Sequence, residues 1–403
     1  MIKTRNPNYR WYMLALTMAT YGLITGAARM SMPVLFKQIA DDLDLSMVAI
    51  GTIWGMDPLA GVFIGLPSGL LADRFGVKRT VVVVCILAGV FGALRGFTVD
   101  FITMAGSMFL FGLTVASLPS IAPKVTMVWF GGRRLGLANA MLNVAWSVGA
   151  MTATMFSATV FSPWLGGWRG VMFLYGAPAV LMGFLWLFTG REPDRGEVPE
   201  ATEVKVPFRQ ALSKVVRIRN VWLFGVITMT SWGANTGFAG YLPLYLRNIG
   251  WAPAAADGAM TVMSGISILG VIPMVMLAER TSRKGILAMS IIVQALGIGL
   301  VSVLDTPGVW LLIVVGGFLR SGAPALYNVM IFETEGVGST YGGTAVGLSS
   351  TIAMLGAFLA PPLGNSFAGI HQGLPMVFWG GMAMLGLPAL FLVKNRPVLD
   401  NAP

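Results

Sequence analysis

Residues Gly69–Arg79 read GLLADRFGVKR. Asp73, Arg74, Lys78 and Arg79 crowd into this stretch, which joins two long apolar runs. Upstream, residues 46–71 hold one acid, Asp57, in a segment otherwise suited to hydrocarbon. Downstream, residues 80–94 carry no charge at all. A helix rises ~1.5 Å per residue, so ~20 apolar residues cross a ~30 Å hydrocarbon core. Apolar runs of that length separated by short charged connections predict a chain that crosses a membrane repeatedly. Composition agrees: the 403 residues are 56% hydrophobic and 11% charged, where a soluble domain carries roughly 25% charged residues.

Working outward gives twelve predicted spans: residues 11–36, 46–71, 80–96, 102–124, 135–161, 168–189, 221–246, 254–278, 285–304, 308–331, 341–363 and 374–393. The start, MIKTRNPNYRWYMLALTM, lacks a small-residue cleavage site and reads as a lead into the first helix. Lys and Arg set the sidedness. They crowd the N-terminus, the even-numbered loops and the C-terminal tail, while the opposite side holds Lys37, Arg95, Arg169 and Arg247. Both termini are therefore expected in the cytoplasm, and the protein in the cytoplasmic membrane. Residues 191–220, with Pro193, Pro199 and Pro207, form the longest connection. It divides the chain into an N-terminal six-helix bundle (1–190), a linker (191–220) and a C-terminal six-helix bundle (221–403). FRQALSKVVRI within it reads either as a short amphipathic surface helix or as a solvated tether. The halves echo one another: YGLITG in span one and WGANTG in span seven, ADR after span two and AER after span eight, with Glu279 in the place of Asp73. The fold expected is all-α and integral to the membrane, with two pseudo-symmetric bundles and a site between them.

Several functions lack material. The net charge of +10 is spread over short connections, so no soluble basic face exists for nucleic acid. One cysteine, Cys85, and one histidine, His371, supply neither a metal cluster nor a nucleophile–base pair. No G-x-x-x-x-G-K-[ST] stretch is present, so gradients and not ATP should drive any transport. An enzyme, a metal site and a cofactor are not expected.

GLLADRFGVKR resembles the signature loop of the major facilitator superfamily, G-x-L-A-D-R-x-G-x-K-R, between spans two and three. With twelve spans and a central linker, the resemblance covers essentially the whole chain. It implies a secondary transporter working by alternating access, monomeric by default. It also implies a conformational latch of Gly69, Asp73, Arg74, Gly76, Lys78 and Arg79. Gly69 would permit close helix approach, and Asp73 would face the positive end of span eleven near Ser339 and Thr340. The same bases also serve positive-inside topology. Span five, LGLANAMLNVAWSVGAMTATM, has no proline where drug antiporters of the family carry a glycine-proline motif.

The charges within the spans point to a site. Asp57 lies near the middle of span two, where a charge costs roughly 2.5–3.5 kcal/mol unless paired, protonated or in a cavity. Arg29 in span one is expected at comparable depth, and Trp54 and Gly61 lie on Asp57's helical face. Arg320 comes from span ten in the other half. Two guanidiniums from opposite bundles would clamp a small anion. Asp57 would carry a coupling proton or release Arg29 when substrate arrives; a purely structural Arg29–Asp57 pair is the plain alternative. Asn143, Asn235, Tyr327 and Asn328 are further candidates for the cavity wall. Asp257, at the start of span eight, is expected to reach the interface. The expected substrate is a small carboxylate or oxyanion, with H+ as candidate coupling ion. Rival readings are a proton-driven exporter of amphipathic compounds and a transporter-like sensor or assembly protein.

Overall fold

The structure, a computed structural model, describes residues 9–130, 133–191, 208–320 and 322–393. Among the described residues twelve spans stand at the predicted places. Span one covers residues 9–42 as Tyr9–Thr20, a π-helical stretch Tyr21–Ala28, and Arg29–Asp42. Span two is Met47–Phe75 and span three Val77–Leu94. Span four is Phe101–Val115 with Leu118–Trp129, span five begins with Arg133–Phe156, and span six is Trp168–Thr189. Span seven is Arg219–Asn248, span eight Pro253–Arg280 and span nine Arg283–Gly299. Span ten is broken into Thr306–Arg320 and Ala323–Phe332. Span eleven is Gly338–Ser366, and span twelve begins with Leu374–Met384. Among the described residues, eight helical stretches are long and apolar enough to cross a membrane by length and composition alone. Spans one, seven, eight and ten fall outside that count, and they carry Arg29, Asn235, Asp257 and Arg320.

The spans form two six-helix bundles related by an internal pseudo-symmetry that the echoed motifs make visible. In span one, Gly22 and Gly26 lie against the backbone of Ala145 and Trp146 in span five. In span seven, Gly233 lies against the backbone of Gly356 in span eleven. Bare backbone at both places brings helices together where lipid offers no hydrophobic drive. The linker's second part is helical over Phe208–Val215. Its buried Ala211 and Val215 dock it on the C-terminal bundle, and Lys214 lies over the Tyr341 ring at 4.5 Å. Linker residues 192–207, the terminal bases Lys3, Arg5, Lys394 and Arg396, and the side chains of Arg133, Glu279 and Ser339 lie outside what the structure describes.

The bundles touch at one end. Four hydrogen-bonded pairs cross between them among the described residues. Arg247 Nη1 donates to the Val34 carbonyl at 2.8 Å, and Trp54 Nε1 to the Thr236 carbonyl at 2.9 Å. Asn365 Nδ2 donates to the Met47 carbonyl at 2.8 Å, and the Thr154 and Thr261 hydroxyls meet at 2.9 Å. All lie in the half of the molecule away from the linker. Gly51 and Gly55 of span two press there against Pro361 and Phe358 of span eleven, and Gly61 against Met354. Toward the linker the contact ends: no atom of the other bundle lies within 4 Å of where a Cβ on Gly65, Gly69, Gly136 or Gly343 would stand. The molecule is closed on the far side and open on the linker side.

Candidate functional site

Arg29 and Asp57 meet as the sequence suggests. Arg29 Nε contacts Asp57 Oδ2. Its N–H is not aligned on that oxygen, so the contact is an ion pair without a directed hydrogen bond. The two differ in access: the Arg29 side chain is 23% exposed and that of Asp57 3%.

Local backbone explains the aim of Arg29. The π-helical turn ends at Ala28, and the chain returns to α-helix at Arg29. Pro33 has no N–H to donate back toward this turn. The Ala28 carbonyl instead accepts from Arg95 Nη1 and Nη2, both at 3.3 Å, and from the Ser31 hydroxyl at 3.2 Å. Such π turns are rare and concentrate at functional sites. Trp54 lies 5.9 Å from the Arg29 guanidinium, ring centroid to Cζ. Its indole N–H is committed to Thr236, so Trp54 walls the site and closes the far side together.

The second guanidinium sits in the other bundle. Arg320 ends the first half of span ten, and its Nη1 donates to Asn235 Oδ1. No acid pairs with it among the described residues. Arg320 and Asn235 line a cavity with Gln294, Phe238, Met263 and Ile298. The cavity measures about 30 Å³, room for water and not for an organic anion. Tyr327 is buried, with its hydroxyl beside Ser231, one turn along span seven from Asn235. Asn328 is exposed, and Asn143, also exposed, donates back to the Asn139 carbonyl of its own helix at 3.1 Å.

Four placements differ from expectation. Asp73 pairs with Lys124 of span four and not with the start of span eleven, because the bundles stand apart on the linker side. Its side chain is 63% exposed. Gly69 permits no close helix approach in this conformation; a Cβ there would meet only Lys124 Nζ at 3.8 Å, and the Gly69 carbonyl accepts from that ammonium at 2.8 Å. Of the rest of the loop, Arg74 lies over the Phe75 ring at 5.4 Å, Arg79 is exposed, and Gly76 turns the chain at φ 92°, a conformation suited to glycine.

Asp257 is buried within the protein and not open to solvent: its side chain is 1% exposed and accepts from Arg247 Nη2 at 2.6 Å on both oxygens. The helix start is covered by span seven, which turns Arg247 inward.

Arg95, expected in the outer loop, is wholly buried. Its position at the end of an apolar run disguised it as a loop residue. No sequence spacing marks its link to Ala28.

The sequence profile of the Major Facilitator Superfamily matches residues 17–361. The chain belongs to the Major Facilitator Superfamily. Over 98% of its length it is 27% identical to the cis,cis-muconate transport protein of Acinetobacter baylyi, covering 97% of that protein. It is 26% identical to a probable galactarate/D-glucarate transporter of Bacillus subtilis over 51% of this chain, spanning about half (45%) of that relative. It is also similar to the nitrite extrusion protein of Bacillus subtilis, at 27% identity over 55% of this chain and 54% of that one. Among solved structures, a bacterial homolog to the human lysosomal transporter Spinster, inward-facing and unoccupied, superposes with a TM-score of 0.79. That match has 16% identity and covers 96% of this chain and 97% of the other. The nucleoside transporter NupG superposes with a TM-score of 0.75 at 14% identity, over 96% of this chain and 99% of the other. Both likenesses concern the fold. The family and these relatives are transporters, and this chain is a multi-pass membrane transporter.

Proposed function

We propose that the protein carries a small organic anion, a dicarboxylate in particular, across the cytoplasmic membrane by alternating access. Both termini and the linker lie on the cytoplasmic side, so the conformation described is inward-facing. The observation that carries the reading is Arg29, a partly exposed guanidinium held deep in the membrane in front of a buried Asp57. A carboxylate can take the outward face of Arg29 bidentately, because the planar fork matches its two oxygens. Arg320, partnered by the neutral amide of Asn235, meets the second carboxylate when the bundles close around the substrate. Muconate and glucarate, named for the relatives, are both dicarboxylates, which supports a site with a cation in each bundle. The loop Gly69–Arg79 acts as the cytoplasmic latch. Asp73 rests on Lys124 in the inward-facing state and moves to span eleven when that side closes. The driving force is an ion gradient, with H+ as the coupling ion, and the monomer is the working unit.

Proteoliposomes loaded at neutral pH test this. Uptake of labelled cis,cis-muconate or D-glucarate should be saturable, should rise with an inward proton gradient, and should vanish in Arg29→Ala and Arg320→Ala. Normal transport by both variants would overturn the clamp.

A further inference from the structure

Arg320 is a cation inside the C-terminal bundle that no carboxylate answers. Among the described residues its guanidinium has one hydrogen-bond partner, Oδ1 of Asn235 in span seven, and a neutral amide brings no charge. Spans seven to ten contain two acids. Asp257 is taken by Arg247, and Glu279 stands at the linker-side end of span eight. A charge taken out of water costs several kcal/mol unless an opposite charge compensates it.

The cavity beside Arg320 is built for that compensation. Its lining comes from spans seven, eight, nine and ten alone, so it lies inside the C-terminal bundle and not between the bundles. Arg320, Asn235 and Gln294 supply its polar wall, and its other side chains are apolar. Gln294 is fixed there, its Nε2 donating to the Ser231 carbonyl at 2.8 Å. Two glycines of the lining keep the space open: a Cβ on Gly297 or on Gly316 would meet no atom within 4 Å. The room is local, because at Gly317 a Cβ would lie 2.9 Å from the Met263 carbonyl oxygen. A volume of about 30 Å³ holds roughly two waters, or one halide, which is little larger than a water. Water would satisfy the N–H groups and leave the charge; a halide satisfies both.

We propose that this cavity is a binding site for a small inorganic monovalent anion of halide size, and that the ion competes with the substrate for Arg320. The ion neutralises the guanidinium from within its bundle while the bundles stand apart on the linker side. A substrate carboxylate that takes the same guanidinium supplies the charge instead, and the ion leaves. The competition rests on the anion-transport reading; the ion site does not.

Thermal unfolding of the full-length protein in nanodiscs tests the site with chloride as the probe. Chloride replaces methanesulfonate at fixed ionic strength, because methanesulfonate is too bulky for the cavity. The unfolding midpoint should rise saturably with chloride. The rise should be lost in Gly316→Leu, which fills the cavity and keeps the guanidinium, and in Arg320→Gln, which removes the charge and keeps a donor. It should persist in Arg29→Gln. No saturable rise in the parent protein, or a rise that survives in Gly316→Leu or in a folded Arg320→Gln, overturns the proposal. Loss of the rise in Arg29→Gln alone places the ion at the other guanidinium and overturns it too. If Arg320→Gln does not fold, Gly316→Leu and Arg29→Gln still decide it. Calorimetry tests the competition. With chloride at ten times its own Kd, the Kd for cis,cis-muconate should rise about tenfold by mass action, and it should not rise in Gly316→Leu. An unchanged muconate Kd in the parent protein removes the competition. If no dicarboxylate binds the parent protein while the chloride pattern holds, the transport reading fails and the ion site stands.

Discussion

A single buried carboxylate, Asp57, is paired with one guanidinium, that of Arg29. Removing it leaves uncompensated buried charge, a loss of about 3–5 kcal/mol in comparable pairs. Asp57→Ala should therefore lower the unfolding midpoint in detergent clearly. Added cis,cis-muconate should restore more of that midpoint than it adds to the parent protein, because a bound carboxylate supplies the missing charge; an equal shift in both would count against the site. Arg29→Lys separates charge from geometry: losing the bidentate fork should reduce muconate uptake by about ten- to a hundredfold while Asp57 keeps a partner. The Arg29–Asp57 pair was legible in the sequence because adjacent antiparallel spans place residues at similar depth. The Arg247–Asp257 pair was not. Each residue sits near a span end, where a charge can equally well snorkel to water, and only the packing of span seven over span eight decides.

Glycine spacing governs how span one presents Arg29. A side chain on Gly26 would run into the Trp146 carbonyl of span five, and a Cβ on Gly22 would lie 2.7 Å from the Ala145 carbonyl oxygen. Gly22→Val should thus displace the π-helical turn and lower muconate affinity without touching a charged residue, as titration on purified protein would show. The echo YGLITG/WGANTG revealed the repeated packing but not that the first copy is π-helical and the second lies in a regular α-helix, Arg219–Asn248. That difference arises from tertiary partners, Arg95 above all, which no local pattern encodes. At the far end of span one, Asp42 accepts from Arg169 and Trp168, and Arg169's hydrogen bond holds its carboxyl below the usual range. A depressed carboxylate contributes stability that is present above its ordinary value and lost as pH falls through the lower folded one. The stability difference between the parent protein and Asp42→Asn should accordingly be the same at pH 7 and pH 5.5 in thermal unfolding. A difference that shrinks at pH 5.5 would show that the pair does not hold its charge.

At the scale of the molecule, the twelve spans and their order follow from hydropathy and the loop GLLADRFGVKR, while the conformation does not. One sequence must encode two packings of nearly equal free energy, so nothing in the spans says which is populated. The interfaces do. Far-side closure rests on the four crossing pairs, and the buried Arg247 contributes both an ion pair within its bundle and a hydrogen bond to Val34 across it. The side chain in Arg247→Gln is too short to reach the Val34 carbonyl across the seam, while the lost Asp257 pair lies within one bundle and weighs on both conformations alike. The linker-open conformation loses stability as a result, and each 1.4 kcal/mol lost moves the balance about tenfold. Because Cys85 is the sole cysteine and is buried, single cysteines report the shift cleanly. Gly65→Cys, on the open linker side, should label rapidly with a membrane-impermeant maleimide in inside-out vesicles. Adding Arg247→Gln should slow that labelling, and should speed labelling of Gly51→Cys from the other face. Lys124→Ala should act in the same direction by releasing Asp73 to span eleven. If both substitutions leave both labelling rates unchanged, the far-side clamp and the Lys124 rest position do not set the balance between the two conformations.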